Sequence, residues 1–167
     1  MKRIVFGTAA LAAVLTTVAM AQARSTRGRT ASSPTVQLRE TSLGKILVNS
    51  AGMTVFDFTK DSRNKNTCQS ISGCASAWPA LVTSGTPKAG SGLSASKLGT
   101  IKLSDGKKQV TYDGRPLYLF AGDKRAGETS YVGVKEFGGT WYAVNAGGAS
   151  VNVRDSSQQQ ESSGGGW

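Results

Sequence analysis

The 167 residues contain no histidine, and cysteine occurs only at Cys68 and Cys74. Without an imidazole there is no Ser-His-Asp or Cys-His catalysis, no His-ligated zinc and no haem attachment through C-x-x-C-H. A G-x-x-x-x-G-K-[ST] phosphate loop is also missing, and most of the 21 glycines fall in turns. Acidic residues are few: 10 Asp and Glu stand against 20 Lys and Arg, a formal net charge of +10. Nucleophile options shrink to Ser, Thr or Lys without their usual partner. No cofactor is implied.

Long apolar runs are scarce too. The one at residues 4–19 is short for a bilayer span, which needs ~20 residues, and Thr8, Thr16 and Thr17 interrupt it. Lys2 and Arg3 precede it and Ala21-Gln22-Ala23 follows it. This is the layout of a signal peptide over residues 1–23, cleaved near Ala23. No cysteine follows the cleavage site to carry a lipid, so the expectation is a secreted or periplasmic protein with no transmembrane anchor. Loss of Lys2 and Arg3 takes the net charge from +10 to +8. Such a charge favours anionic partners, and for an exported chain these are cell-wall polymer or the membrane surface rather than a specific nucleic acid.

What the chain does have is a repeat. Residues 52–61 read G-M-T-V-F-D-F-T-K-D and residues 114–123 read G-R-P-L-Y-L-F-A-G-D. Aligned, they match Gly52 with Gly114, Val55 with Leu117, Phe56 with Tyr118, Phe58 with Phe120 and Asp61 with Asp123. Upstream, Gly44-Lys45 falls on Gly106-Lys107 and Val48 on Val110. Trp78 and Trp141 follow the two motifs at nearly equal distance. The period marks two copies of one supersecondary unit. Neither copy's hairpin is stable alone, so the units are expected to share one aromatic core. The predicted fold is mainly β: a single compact domain of two pseudo-symmetric β-hairpin repeats with short helical turns.

Taken in order, residues 24–40 read as a basic, Ser/Thr-rich disordered arm. The folded domain is expected over residues 41–153, with units at about 43–92 and 93–150, followed by a disordered Ser/Gln/Gly tail at 154–167. Residues 45–49 and 54–58 read as a hairpin. Alternation puts Thr54, Phe56 and Phe58 on one face and Val55 and Asp57 on the other. Trp78 precedes Pro79, so it should end a single helical turn and turn its ring inward. Residues 93–98 suggest another helical turn. Residues 100–103, 109–112 and 117–120 read as strands, with Asp113-Gly114 as a type I′ turn. Residues 141–144 form the last expected strand.

Several sites stand open to two readings. Cys68 and Cys74 suggest a local disulfide in an oxidising compartment, against a two-thiolate metal site that lacks further ligands. Asp61 and Asp123 are either loop caps, each accepting backbone N–H bonds, or a carboxylate pair brought together by pseudo-symmetry. A calcium site on the same aspartates has no motif behind it. The aromatics Phe56, Phe58, Tyr118, Phe120, Trp78 and Trp141 are core candidates before they are a stacking platform. Tyr112 and Tyr142 are the better candidates for exposure.

The segment Tyr118-Leu119-Phe120-Ala121-Gly122-Asp123 fits a Y-x-[FWY]-x-x-D motif, with the variant Phe56-Asp57-Phe58-Thr59-Lys60-Asp61 in the first copy. Together with Cys68…Cys74, Trp78-Pro79, the run from Gln109 to Gly114 with Pro116-Leu117-Tyr118, and Gly138-Gly139-Thr140-Trp141, the chain resembles the predicted-lipoprotein family of secreted repeats of unknown function. The resemblance spans roughly residues 43–145. It implies an exported, tandem-repeat, β-rich envelope protein and supplies no catalytic residues. The chain departs from it in lacking a lipobox cysteine and in carrying Phe56 for tyrosine. The expected role is non-catalytic: binding or scaffolding at anionic envelope material. The alternatives are a carboxylate-dependent enzyme acting on an envelope polymer and a metal-binding periplasmic protein.

Overall fold

The computed structural model describes residues 35–153. The expected signal peptide, most of the basic arm and the C-terminal tail lie outside these residues. The fold is mainly β, as the sequence predicts. Among the described residues ten short strands follow one another: β1 (Val36–Thr41), β2 (Gly44–Asn49), β3 (Phe56–Phe58), β4 (Val82–Thr83), β5 (Leu98–Lys102), β6 (Lys108–Tyr112), β7 (Arg115–Pro116), β8 (Lys135–Glu136), β9 (Gly139–Val144) and β10 (Ser150–Val151). They form three small sheets: β1 with β2, β10-β9-β3 with β8 beside β9, and β4-β6-β5 with β7 beside β6.

β1 corrects the expected boundary at residue 41. Val36 is fully buried, and β1 pairs along the whole of β2, from Val36↔Asn49 to Thr41↔Gly44. The basic composition of residues 24–40 masks the short Val36-x-Leu38 alternation that starts the fold. The first hairpin is thus β1–β2, and the predicted hairpin of residues 45–49 with 54–58 does not form as a ladder. β2 meets the motif only at the bridge Val48↔Thr54. Between them the Asn49 side chain accepts the backbone N–H groups of Ala51 and Met53, each at 2.9 Å, and Gly52 takes φ 80°. An Asx-stabilised turn of this kind reorients the chain before the motif.

The second repeat follows its prediction more closely. β5 and β6 pair antiparallel. Asp113 (φ 49°) and Gly114 (φ 75°) make the left-handed pair of a type I′ turn, and Tyr112 pairs with Arg115. The expected return strand at 117–120 does not form; the return strand is the two-residue β7 at Arg115–Pro116. Ladder pairing ends at Pro116, and Tyr118 instead makes single bridges to Phe56 and Ala80. A short helix, α1 (Cys74–Ala77), ends at Trp78, and a 3-10 turn spans Ala95–Lys97, both where the sequence places helical turns.

The two copies are interlocked. Phe56 and Tyr118, equivalent in the repeat, exchange both backbone hydrogen bonds at 2.9 Å. A pseudo-two-fold axis therefore passes between them. Each motif then pairs with the closing segment of the other copy: Phe56 with Ala143 and Phe58 with Trp141, Tyr118 with Ala80. Side chains obey the same symmetry. Trp78 and Trp141 stack with centroids 4.1 Å apart and planes 2° apart. Phe58 stacks on Trp141 at 4.1 Å and Phe120 lies against Trp78 at 4.5 Å. Phe56 meets Trp78 edge-on, and Tyr118 meets Trp141 edge-on, both at 5.1 Å. The opposite face of the motif strand carries Val55 into a second cluster with Val36, Leu47, Val110, Leu117 and Val144. β3 is therefore buried on both faces, and the predicted alternation holds.

Cys68 and Cys74 form a disulfide with Cα atoms 5.4 Å apart. Both are buried in the aromatic cluster. The bridge closes a small loop, so its reduction should lower stability by about 2 kcal/mol. Urea unfolding with and without reductant measures this; superposable curves would contradict it.

Candidate functional site

The two motif aspartates, alike in sequence, sit in different environments. Asp61 Oδ1 accepts the backbone N–H of Thr67 at 2.6 Å, which is the loop cap expected of it. Its Oδ2 accepts the Tyr118 hydroxyl at 2.6 Å. The tyrosine of one motif thus reaches the aspartate of the other. Burial pushes the Asp61 carboxyl up, against the bonds from Tyr118 and Thr67. Burial and the neighbouring carboxylate also push the Tyr118 phenol upward, so it stays protonated.

Asp123 is not the cap expected of it. Both of its carboxylate oxygens are buried, and neither has a hydrogen-bond partner among the described residues. Pseudo-symmetry supplies the reason for one of them. The residue that would give Asp123 its hydroxyl, as Tyr118 gives one to Asp61, is Phe56. Burial first and Glu128 second push the Asp123 carboxyl up to about 6. An unfolded aspartate titrates near ~4, so the folded state holds the proton more tightly. The stabilisation is complete below ~4 and is lost as pH rises through about 6. Asp123→Asn should therefore stabilise the protein at pH 7 by about 1–2 kcal/mol, a value discounted for the partial exposure of the residue. It should also flatten the dependence of stability on pH between ~4 and ~6. Thermal melts across that range test both; an unchanged pH profile counts against them.

A cleft of about 290 Å³ opens beside the first motif, lined among others by Asp57, Asp61, Arg63, Asp113 and Arg115. Asp57 Oδ2 accepts Arg115 Nη1 at 2.7 Å and the Ser150 hydroxyl at 2.6 Å, while its buried Oδ1 has no partner. Burial pushes this carboxyl up, with Ser150 and Arg115 opposing. Arg63 Nη1 donates to the Asp113 carbonyl at 2.9 Å. The carboxylates that share this cleft are Asp57, Asp61 and Asp113; Asp123 is not part of its lining.

Sequence reasoning missed Asp57 as a site residue. Its signal was a charge in the middle of Phe-Asp-Phe, where the second copy has Leu119. It missed a buried polar strut as well: Asn66 Nδ2 donates to Gln109 Oε1 at 2.7 Å, and Gln109 Nε2 donates to the Leu117 carbonyl at 2.9 Å. Gln109 replaces the apolar Leu47 of the first copy. The aromatics Phe56, Phe58, Tyr118, Trp78 and Trp141 are buried in the core and Phe120 packs against them, so they form no exposed stacking platform. Tyr112, expected at the surface, is fully buried; its hydroxyl donates to the Ala146 carbonyl at 2.8 Å. Tyr142 is half-buried.

Among the described residues no three or more His, Cys, Asp or Glu side chains gather into a possible metal site. No helix among them is long and apolar enough to cross a membrane. Charge is partitioned by depth. Of the fourteen basic side chains in residues 35–153, all but Lys97 are exposed; of the eight acidic ones only Glu40, Asp105 and Glu136 are.

The architecture is that of an interlocked β repeat pair. One family profile, described as a secreted repeat of unknown function, matches residues 37–82 and 99–145. The chain belongs to this family. Each match begins within the first strand of a copy, β1 or β5, and ends at its closing segment. Comparison with curated proteins and with solved structures finds no match.

Proposed function

We propose that this secreted repeat protein is a non-catalytic module that binds or scaffolds anionic material of the cell envelope, either wall polymer or membrane surface. The partition of charge carries this reading. Five of the eight acidic side chains in residues 35–153 are half-buried or buried, while almost every cation faces solvent. Single exposed ion pairs are weak, but a polyanion meets many cations at once, and linked contacts multiply avidity.

The cleft favours binding over acid/base chemistry. Both oxygens of Asp61 already accept hydrogen bonds, and Asp57 is held by Arg115 and Ser150. Sedimentation with purified wall material, and with anionic or zwitterionic vesicles, tests the proposal at low and high salt. Co-sedimentation with an anionic partner should be strong at low salt and lost at high salt, because screening shortens the reach of exposed charges to ~3 Å at 1 M. Salt-independent binding, or none, would overturn it.

A further inference from the structure

We propose that Tyr118 is a redox-active residue, oxidised through the stacked rings of the core while its phenol proton passes to Asp61. This activity does not depend on the envelope-binding reading. Three features support it. The first is a continuous ring path. Tyr118 touches Trp141 edge-on, Trp141 stacks on Trp78, Trp78 packs on Phe120, and Phe120 lies 3.9 Å from Tyr131. Tyr131 is only partly buried, so the path runs from the centre of the fold outward.

The second is the placement of proton acceptors. Oxidising a phenol at neutral pH requires a base for its proton. The Tyr118 hydroxyl points at a carboxylate 2.6 Å away, whereas that of Tyr112 points at a carbonyl, which cannot take a proton. Midway along the path, the buried Trp78 Nε1 donates to Oε2 of the exposed Glu136 at 3.0 Å. The carboxylate eases oxidation of this indole and makes it the entry point; a proton it takes from Nε1 returns there when the electron vacancy moves on.

The third is the unpartnered indole of Trp141. Its Nε1 is buried without a hydrogen-bond partner among the described residues. Core packing gives no reason for that loss, and buried polar groups are nearly always satisfied. For a relay it has a consequence: a Trp141 radical cation cannot shed its proton, so the electron vacancy is not trapped there and moves on to Tyr118.

The step balances. An outer-sphere, high-potential metal-complex oxidant at the surface gains one electron from the Trp78–Trp141 pair. Tyr118 refills that vacancy, its O–H bond breaks, and the proton bonds to Asp61. The products are a neutral tyrosyl radical, a protonated Asp61 and the reduced oxidant.

Flash photolysis of the full chain tests this, with photogenerated tris(bipyridine)ruthenium(III) as the oxidant. An indole radical should appear first and convert to a tyrosyl radical. Tyr118→Phe should abolish the tyrosyl product and leave the indole radical; Phe56 shows that phenylalanine fits the equivalent position. The triple variant Tyr112→Phe/Tyr131→Phe/Tyr142→Phe should retain the product. Asp61→Asn should slow its formation and change its solvent isotope effect, which a merely structural role would not do. Persistence of the tyrosyl signal in Tyr118→Phe, or its loss from a folded triple variant, would overturn the proposal. If Tyr118→Phe fails to fold, the triple variant decides alone.

Discussion

Replacing Trp141 with alanine will lower the unfolding free energy by about 3–5 kcal/mol. The ring is fully buried and meets three other aromatic rings at once. It stacks on Trp78 and Phe58 and takes the edge of Tyr118, and its backbone pairs with Phe58 of the other copy. The cavity cannot collapse easily, because the Cys68–Cys74 bridge and the β3–β9 ladder fix its walls. Small domains have only ~5–15 kcal/mol of total stability, so one such loss removes a large part of it. Trp78→Ala should cost a similar amount and would also leave Glu136 without its indole donor. The double variant should cost less than the sum, since the first deletion already breaks the shared stack. Urea unfolding followed by far-UV circular dichroism gives the values. Val82→Ala, at a 45% exposed site, is the control, with an expected change within about 0.5 kcal/mol. A Trp141→Ala variant as stable as that control would show that the ring stack is not what joins the copies.

The sequence disclosed the parts of this fold that depend on local rules. Asp113-Gly114 fixes a type I′ turn through backbone sterics alone. Pro79 stops α1 at Trp78 for the same kind of reason. Alternation in Thr54-Val55-Phe56-Asp57-Phe58 told which side chains share a face. What stayed hidden depends on partners distant in the chain. β1 is legible only when the repeat register is carried upstream, where Val36 falls on Leu98; by composition it looks like the end of a basic arm. The exchange of closing segments cannot be read from either copy, because Ala80 and Ala143 would serve a motif in their own copy as well as the other. The burial of Asp57 follows from Arg115 and Ser150, 58 and 93 residues away. The unequal fates of Asp61 and Asp123 follow in part from the missing hydroxyl at Phe56; the backbone cap that Thr67 gives Asp61 has no counterpart at Asp123 either. Two aspartates at identical motif positions therefore signalled symmetry correctly and equivalence wrongly.

That missing hydroxyl can be supplied. In Phe56→Tyr, the new phenol occupies the position related by pseudo-symmetry to Tyr118, and should donate to Asp123 as Tyr118 donates to Asp61. A hydrogen bond to a charged group contributes about 1.5–3 kcal/mol, and fitting an extra oxygen beside Trp78 offsets part of it. The expected net gain is about 1 kcal/mol at pH 7. The bond also favours the ionised form, so the Asp123 carboxyl should titrate below its present value of about 6. The loss of stability on raising pH toward neutrality should then shrink. The reverse exchange, Tyr118→Phe, removes the donor from Asp61 and leaves its Oδ2 unpaired. It should cost about 3 kcal/mol at pH 7, because an orphaned charge is dearer than the bond itself. The cost should fall as the pH is lowered, since protonation of Asp61 relieves the unpaired charge. Carrying both substitutions moves the hydroxyl from one half of the molecule to the other. If the pseudo-two-fold axis governs these contacts, the double variant should recover about 1 kcal/mol of the stability that Tyr118→Phe loses, roughly a third of it, with Asp123 now bonded and Asp61 left to its backbone cap at Thr67. Chemical denaturation of the four proteins at pH 5 and pH 7 closes this cycle. No recovery in the double variant would mean that the two halves share a topology without sharing the geometry around their aspartates.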